Sequence, residues 1–265
     1  MKPRIKKGVA RTPDGGELEL YQHDRDYSIM VNGLDLMHSR RHESELELAR
    51  LGCAHLAGRR APRVLIGGLG MGYTLRQTLD LLGPDARVVV VELLEAVVGW
   101  NHEFLGELND WPLRDQRVEL VVGDVIKLIG SSKGGFDAIL LDIDNGPEAM
   151  TDPANHRLYT YEGITACRRA LAKKGCLAIW SAKPSKEFEE LLLACGLQVS
   201  RFRVPAFKGS KKQSHFVWVA AERKSLLPPG GSEPRPPAAK GGRRGVKSVP
   251  ICSLPRQMDF CRLST

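Results

Sequence analysis

The residues best suited to chemistry sit in four short runs. Gly67-Gly68-Leu69-Gly70-Met71-Gly72 is rich enough in glycine to let the backbone turn sharply and let a ligand approach closely. From Gly68 it reads G-x-G-x-G, and Tyr73 stands where a dinucleotide fingerprint has its third glycine. No G-x-x-x-x-G-K-[ST] occurs, which excludes a P-loop. Glu92 lies 20 residues beyond Gly72, where an acid can accept from both hydroxyls of a ribose. Gly123-Asp124 offers a carboxylate that could accept from an adenine amine, or could cap the next helix. Asp142-Ile-Asp144-Asn-Gly-Pro147 offers two carboxylates two residues apart, which point to opposite sides of an extended chain. Asp142 is therefore expected to face a site, with Asp144 beside it and a turn over 144–147. Together the four runs describe a site for an adenosine-type nucleoside without a phosphate cradle.

Such a site needs strands that end together. Arg63–Ile66, Arg87–Val91, Val118–Val122, Phe136–Leu141 and Cys176–Trp180 read as buried strands. Helical patterns separate them, over 73–82, 94–108, 125–129 and 161–172, and a further helix spans 188–195. Leu197–Val204 and His215–Ala220 read as a closing antiparallel pair. The alternation predicts an α/β fold, a doubly wound, seven-stranded, mostly parallel sheet. In such a sheet ligands bind at the carboxyl ends of the strands, where all four runs fall. Upstream, Leu18–Leu20, Tyr27–Val31, the Asn32-Gly33 turn and Leu34–Met37 predict a small β-meander, and an amphipathic helix begins near Ser44. The expected organisation is a basic extension over 1–16, the meander over 17–40, a nucleoside-binding domain over 41–222 and a disordered Pro/Gly-rich basic tail over 223–265.

The chain has 265 residues and a net charge of +8. Residues 1–11 and 225–265 each carry +5, which leaves −2 for the body. The body is thus not expected to bind nucleic acid, while the ends could make weak contact with it. No apolar run suits a membrane helix, and no secretory signal follows the basic start. Six scattered cysteines without a CxxC pair suggest reduced thiols in a cytoplasm and no metal. Tyr73 is a weaker candidate for the site rim. Trp100, Trp218 and Tyr159 are read as packing.

These residues resemble the S-adenosylmethionine-dependent methyltransferase fold. More narrowly, they resemble the polyamine aminopropyltransferase (spermidine synthase-like) family over about residues 27–222. The resemblance rests on Val31-Asn-Gly33, His42–Glu47, Arg63–Gly68, Val89–Glu92, Gly123-Asp124, Phe136–Asp142 and Gly146-Pro147. It implies a Rossmann-like transferase of polyamine biosynthesis, using S-adenosylmethionine or its decarboxylated form as donor substrate and a small-molecule amine as acceptor. It also implies a homodimer. Gly67, Gly68, Gly70 and Gly72 would hold the methionine-derived part, Glu92 the ribose, and Gly123 and Asp124 the adenine. Asp142, with Asp144, would be catalytic, orienting and deprotonating the amine.

The sequence departs from that family at three places. Gly70 stands where the family has an aspartate for the donor amine, and Arg41 and His42 stand where it has an acidic pair. The acidic gate is shortened to Asp142-Ile-Asp144-Asn. A buried ammonium without a carboxylate is costly, so these losses tilt the expectation toward methyl transfer. The alternatives are true aminopropyl transfer and a non-catalytic nucleoside-binding or nucleic-acid-binding protein.

Overall fold

The computed structural model describes residues 3–143, 146–147, 153–207, 209–210 and 213–234. Asp144 and the segment 235–265 lie outside the described residues.

Four strands form an antiparallel sheet in chain order: β1 (Ile5–Arg11), β2 (Glu17–His23), β3 (Asp26–Val31) and β4 (Leu34–His38). Asn32 and Gly33 both take positive φ between β3 and β4, the backbone that lets a two-residue hairpin follow the strand twist. The basic extension expected over 1–16 is thus corrected, since its seven residues Ile5–Arg11 are β1. The Lys-Lys-Gly run and a bulge between Lys6 and Gly8 hide the strand's alternation. Its charges are used internally. Lys6 pairs with Glu19, and the Lys7 ammonium sits 4.4 Å over the Phe104 ring. A Cβ on Gly8 would overlap the Trp100 indole, so β1 lies directly on the larger domain.

That domain begins with α1 (Glu43–Cys53) and continues through β5 (Arg63–Gly67), α2 (Tyr73–Leu81), β6 (Arg87–Glu92) and α3 (Glu95–Trp100). A π-helical turn (Asn101–Leu105) and a 3-10 turn (Gly106–Asn109) extend α3. Next come β7 (Val118–Val122), α4 (Val125–Ser131), β8 (Phe136–Leu141), α5 (Tyr161–Ala170), β9 (Leu171–Ser181), α6 (Lys186–Ala194), β10 (Gln198–Pro205) and β11 (Gln213–Ala221). The sheet order is β10-β11-β9-β8-β5-β6-β7. The strands from β9 to β7 are mutually parallel, and β11 runs against both of its neighbours. Chain order reverses between β5 and β8, so their carboxyl ends flank the switch point.

Alternate residues of each strand feed two cores. Leu65, Val89, Ile139 and Ile179 meet α4, α5 and α6, while Ile66, Val90, Leu140 and Ala178 meet α1 and α2. A third cluster joins Leu20 and Ile29 of the small sheet to Met71, Trp100 and Leu105. Trp218, fully buried, donates its indole N–H to Glu189 at 3.0 Å.

The ordered chain runs past the boundary expected at 223. Residues Lys224–Leu226 form a 3-10 turn, Leu226 and Leu227 pack on the core, and Arg201 and Ser232 exchange backbone hydrogen bonds of 2.8 Å. Two leucines there supply the apolar contact that the Pro/Gly content obscures. None of the described helices is long and apolar enough to cross a membrane.

Candidate functional site

A cavity of about 350 Å³ opens at the carboxyl ends of β5, β6, β7 and β8. Gly68, Gly70, Glu92, Gly123, Asp124 and Asp142 line it, so the four runs converge on one space. Its other wall comes from the small sheet, through Thr12, Leu18, Ile29, Leu36 and Met37. The site is therefore built between two sheets.

The glycines divide into two groups. Gly68 takes φ +90°, and a Cβ there would overlap the Asp142 carbonyl oxygen. Only glycine lets the loop cross this close to the tip of β8. Gly70 takes φ +51°, and a Cβ there would come within 2.8 Å of the Met37 sulfur. Met37 thus fills the space beside the position where the resemblance implies an aspartate. Gly67 and Gly72 lie outside the lining. Gly67 ends β5 among Leu141, Ile143 and Val125, and Gly72 caps α2 at φ +83°. Gly123 lines the cavity without positive φ and with open space around it.

The loop is held from behind. Asn101 donates to the Gly70 carbonyl at 2.8 Å and to Val97 at 2.9 Å, and Asn109 donates to the Met71 carbonyl at 2.7 Å. The π-helical turn brings Asn101 to the loop and the 3-10 turn after it brings Asn109, and π-turns often occur at functional sites. The buried Oδ1 atoms of both asparagines have no hydrogen-bond partner among the described residues.

Glu92 is buried at the tip of β6. One oxygen accepts from the Leu69 N–H and the other from the Leu94 N–H, each at 2.9 Å. Burial raises its pKa, against the backbone bonds that lower it. Each carboxylate oxygen has a second lone pair, which suits two ribose hydroxyls. Asp124 caps α4 by accepting from the Ile126 N–H at 2.8 Å, so the capping alternative holds while the residue still lines the cavity.

Asp142 is where the sequence reading placed it, and it has two partners that the reading missed. The Thr74 hydroxyl of α2 donates to Asp142 Oδ2 at 2.6 Å. Glu45 of α1 lines the same cavity and is 7% exposed. Its Oε2 accepts from the Ser44 hydroxyl at 2.5 Å. Burial pushes the Asp142 carboxyl up to about 6, against the Thr74 bond. Burial and the neighbouring Asp142 charge push Glu45 up to about 8. The cause of this placement is local. A Cβ on Gly52 would overlap Leu140, so α1 lies tightly on the sheet, and Glu45 sits two turns nearer the strand tips. Ser44, Glu45, Leu48, Ala49, Gly52 and Cys53 form the helix's buried stripe. A carboxylate within an apolar stripe is the sequence signal that could have found it.

Tyr73 is not on the rim. Its hydroxyl donates to the Ser39 carbonyl at 3.1 Å and its ring stacks on His42 at 4.0 Å, so it pins α2 to the segment before α1. Tyr159 packs edge-on against Phe188. Among the described residues no group of three or more His, Cys, Asp or Glu is arranged to hold a metal.

A doubly wound sheet with a glycine turn after β5, a buried acid at the tip of β6 and a part-buried acid at the tip of β8 belongs to the class of α/β proteins that bind ligands at the switch point of the sheet. The family profile described as the spermine/spermidine synthase domain matches residues 51–197, more than half of the chain. The chain belongs to the spermine/spermidine synthase family. It is 32% identical over 126 residues to a polyamine aminopropyltransferase of Saccharolobus islandicus, covering 48% of this chain and 40% of the relative. It is 31% identical over 138 residues to polyamine aminopropyltransferase 1 of Pseudomonas aeruginosa, covering 51% and 46%. The match thus spans less than half the length of these relatives. Among solved structures, the spermidine synthase of Thermotoga maritima superposes with a TM-score of 0.65 at 18% identity, covering 84% of this chain and 76% of the other. A probable spermidine synthase of Corynebacterium glutamicum gives 0.59 at 19% identity, covering 82% and 80%. These structural likenesses bear on the fold.

Proposed function

We propose that the chain transfers an aminopropyl group from decarboxylated S-adenosylmethionine to a small amine. The observation that carries this reading is the part-buried Asp142–Thr74 pair at the cavity of the strand tips, in a member of the spermine/spermidine synthase family. The expectation of methyl transfer is replaced. It rested on absent carboxylates, and Glu45 supplies one beside Asp142.

In this reading Glu92 holds the ribose, Asp124 the adenine, and Gly68 and Gly70 face the sulfonium end. The sulfonium is already a good leaving group, so the protein's task is to aim a neutral amine in line with the reacting carbon. Asp142, oriented by Thr74, holds the ammonium and receives its proton. The nitrogen lone pair then forms the new C–N bond, and the electrons of the C–S bond return to sulfur.

Calorimetry of the full chain with the decarboxylated donor, S-adenosylmethionine and the thioether product tests the donor. The decarboxylated form should bind at least tenfold tighter than S-adenosylmethionine; the reverse order would overturn the reading. Asp142→Asn should lower turnover by about 10²-fold or more while donor affinity stays within threefold.

A further inference from the structure

Glu45 takes no part in the bond-making steps above, yet it is a buried carboxylate that lines the same cavity as Asp142. We propose that Glu45 and Asp142 act as one acceptor-binding pair, in which Glu45 releases a proton when the amine's ammonium arrives and takes one back before attack. This rests on the aminopropyl reading and deepens it, because it fixes the acceptor as a cationic primary amine.

The geometry limits what the pair can do. Asp142 is fixed at the tip of β8, its backbone N–H donating to the Gly67 carbonyl at 2.8 Å and its Oδ2 held by Thr74. Glu45 is fixed by the close seat of α1 on the sheet and by the Ser44 hydroxyl. Lys127 and Arg157 line the same cavity, but among the described residues neither Glu45 nor Asp142 makes an ion pair, and two anions cannot share a dry space unrelieved. The groups that face Glu45 are Asp142 from β8 and the Tyr73 hydroxyl of α2, with Ser44 beside it. Burial keeps the Tyr73 phenol neutral. In this proposal the pair shares one proton while no amine is bound, and burial beside the Asp142 charge favours Glu45 as its holder.

An arriving ammonium reverses the balance. It sits between two carboxylates, favours both charges, and Glu45 loses its proton to solvent. The bound ammonium then passes one proton to the pair. The freed lone pair forms the C–N bond, the C–S bond breaks with its electrons to sulfur, and the new secondary ammonium carries away the positive charge. Two nearby acids thus bind a cation and also store the proton that must leave it.

The test is proton linkage. The full chain is titrated at pH 7 with 1,4-diaminobutane, in the presence of the thioether nucleoside product, in buffers of different ionisation enthalpy. The wild type should release close to one proton per amine bound, and Glu45→Gln should release almost none. The kcat/KM of Glu45→Gln should fall about 10²-fold and its pH profile should lose one ionisation. Equal proton release with an unchanged profile would overturn the proposal while leaving aminopropyl transfer standing. No amine binding by the wild type would overturn the aminopropyl reading itself. Infrared difference spectra of the wild type give a check that needs no variant. The C=O band of a protonated carboxyl should vanish when the amine binds, and its persistence would also refute the proposal.

Discussion

Gly68→Ala separates the glycines that the fold needs from those that are merely present. At φ +90° an alanine carries a left-handed penalty of about 1–2 kcal/mol. Its methyl would also overlap the Asp142 carbonyl oxygen, which belongs to backbone and cannot rotate away. Restoring a van der Waals contact requires roughly an ångström of movement, and such overpacking costs about 1–3 kcal/mol. The two effects sum to about 2–5 kcal/mol, or a Tm lower by about 5–15 °C in a domain of this size. The movement is directed at Asp142, the carboxylate proposed to take the amine's proton, and a misplacement of about 1 Å costs about 10²-fold in rate. Gly123→Ala is the control, with open space and ordinary φ, and should leave Tm unchanged or slightly raised. Thermal melts and release of the thioether nucleoside measure both. If Gly68→Ala melted within 2 °C of the wild type and turned over within a factor of two, the steric reasoning would be refuted. Equal damage from Gly123→Ala would refute it too.

Other perturbations read different parts of the site. Thr74→Val removes the hydroxyl that stabilises ionised Asp142, a bond worth about 1.5–3 kcal/mol, so the acid limb of the kcat/KM profile should move up by about 1–2 pH units. Asn101→Ala frees the Gly70 carbonyl and should weaken donor binding by about tenfold in calorimetry, with a loss of about 1–3 kcal/mol in stability. Glu45 has a folded pKa above its unfolded value, so the folded state holds the extra proton between 4.5 and about 8. Stability from this group is present below 4.5 and is lost as pH rises toward 8, and chemical denaturation of Glu45→Gln should show a flatter slope over that window. Truncation after Glu222 removes Leu226 and Leu227 from the core and should cost about 2 kcal/mol more than truncation after Pro234, seen as a Tm difference of about 4–8 °C.

The strand tips were legible because each combines an apolar run with an abrupt acid or glycine, and a buried strand carries a charge within it only where a partner is at hand, as Arg59 is for Asp137. Glu92, Asp124 and Asp142, the acids that logic singles out, all line one cavity. It failed wherever tertiary contact overrides local character. β1 looks like a charged extension because its lysines find Glu19 and Phe104 only after the sheet has formed. Glu45 looks like one more acid of an exposed helix until Gly52 seats that helix against Leu140. Asn101 and Asn109 carry no signal at all, since their purpose depends on a π-turn and a 3-10 turn that no spacing rule announces. The helix expected to run through Ala172 stops at Ala170, because Leu171 pairs with Phe136 as the start of β9.

The cavity's second wall, with Met37 over Gly70 and β1 seated on Trp100, would make the proposed donor a ligand of the docking between two sheets. A nucleoside held by the strand tips also touches the small sheet, so occupancy and docking are thermodynamically linked. At a hundred times Kd, ligand adds about 2.7 kcal/mol to whatever holds the bound form together. Amides of β1–β4 should then exchange more slowly when the donor site is filled, although none of them belongs to the nucleotide-binding half of the fold. Substitutions at Gly8 or Trp100, distant from every reacting atom, should reach the chemistry as a weaker donor affinity.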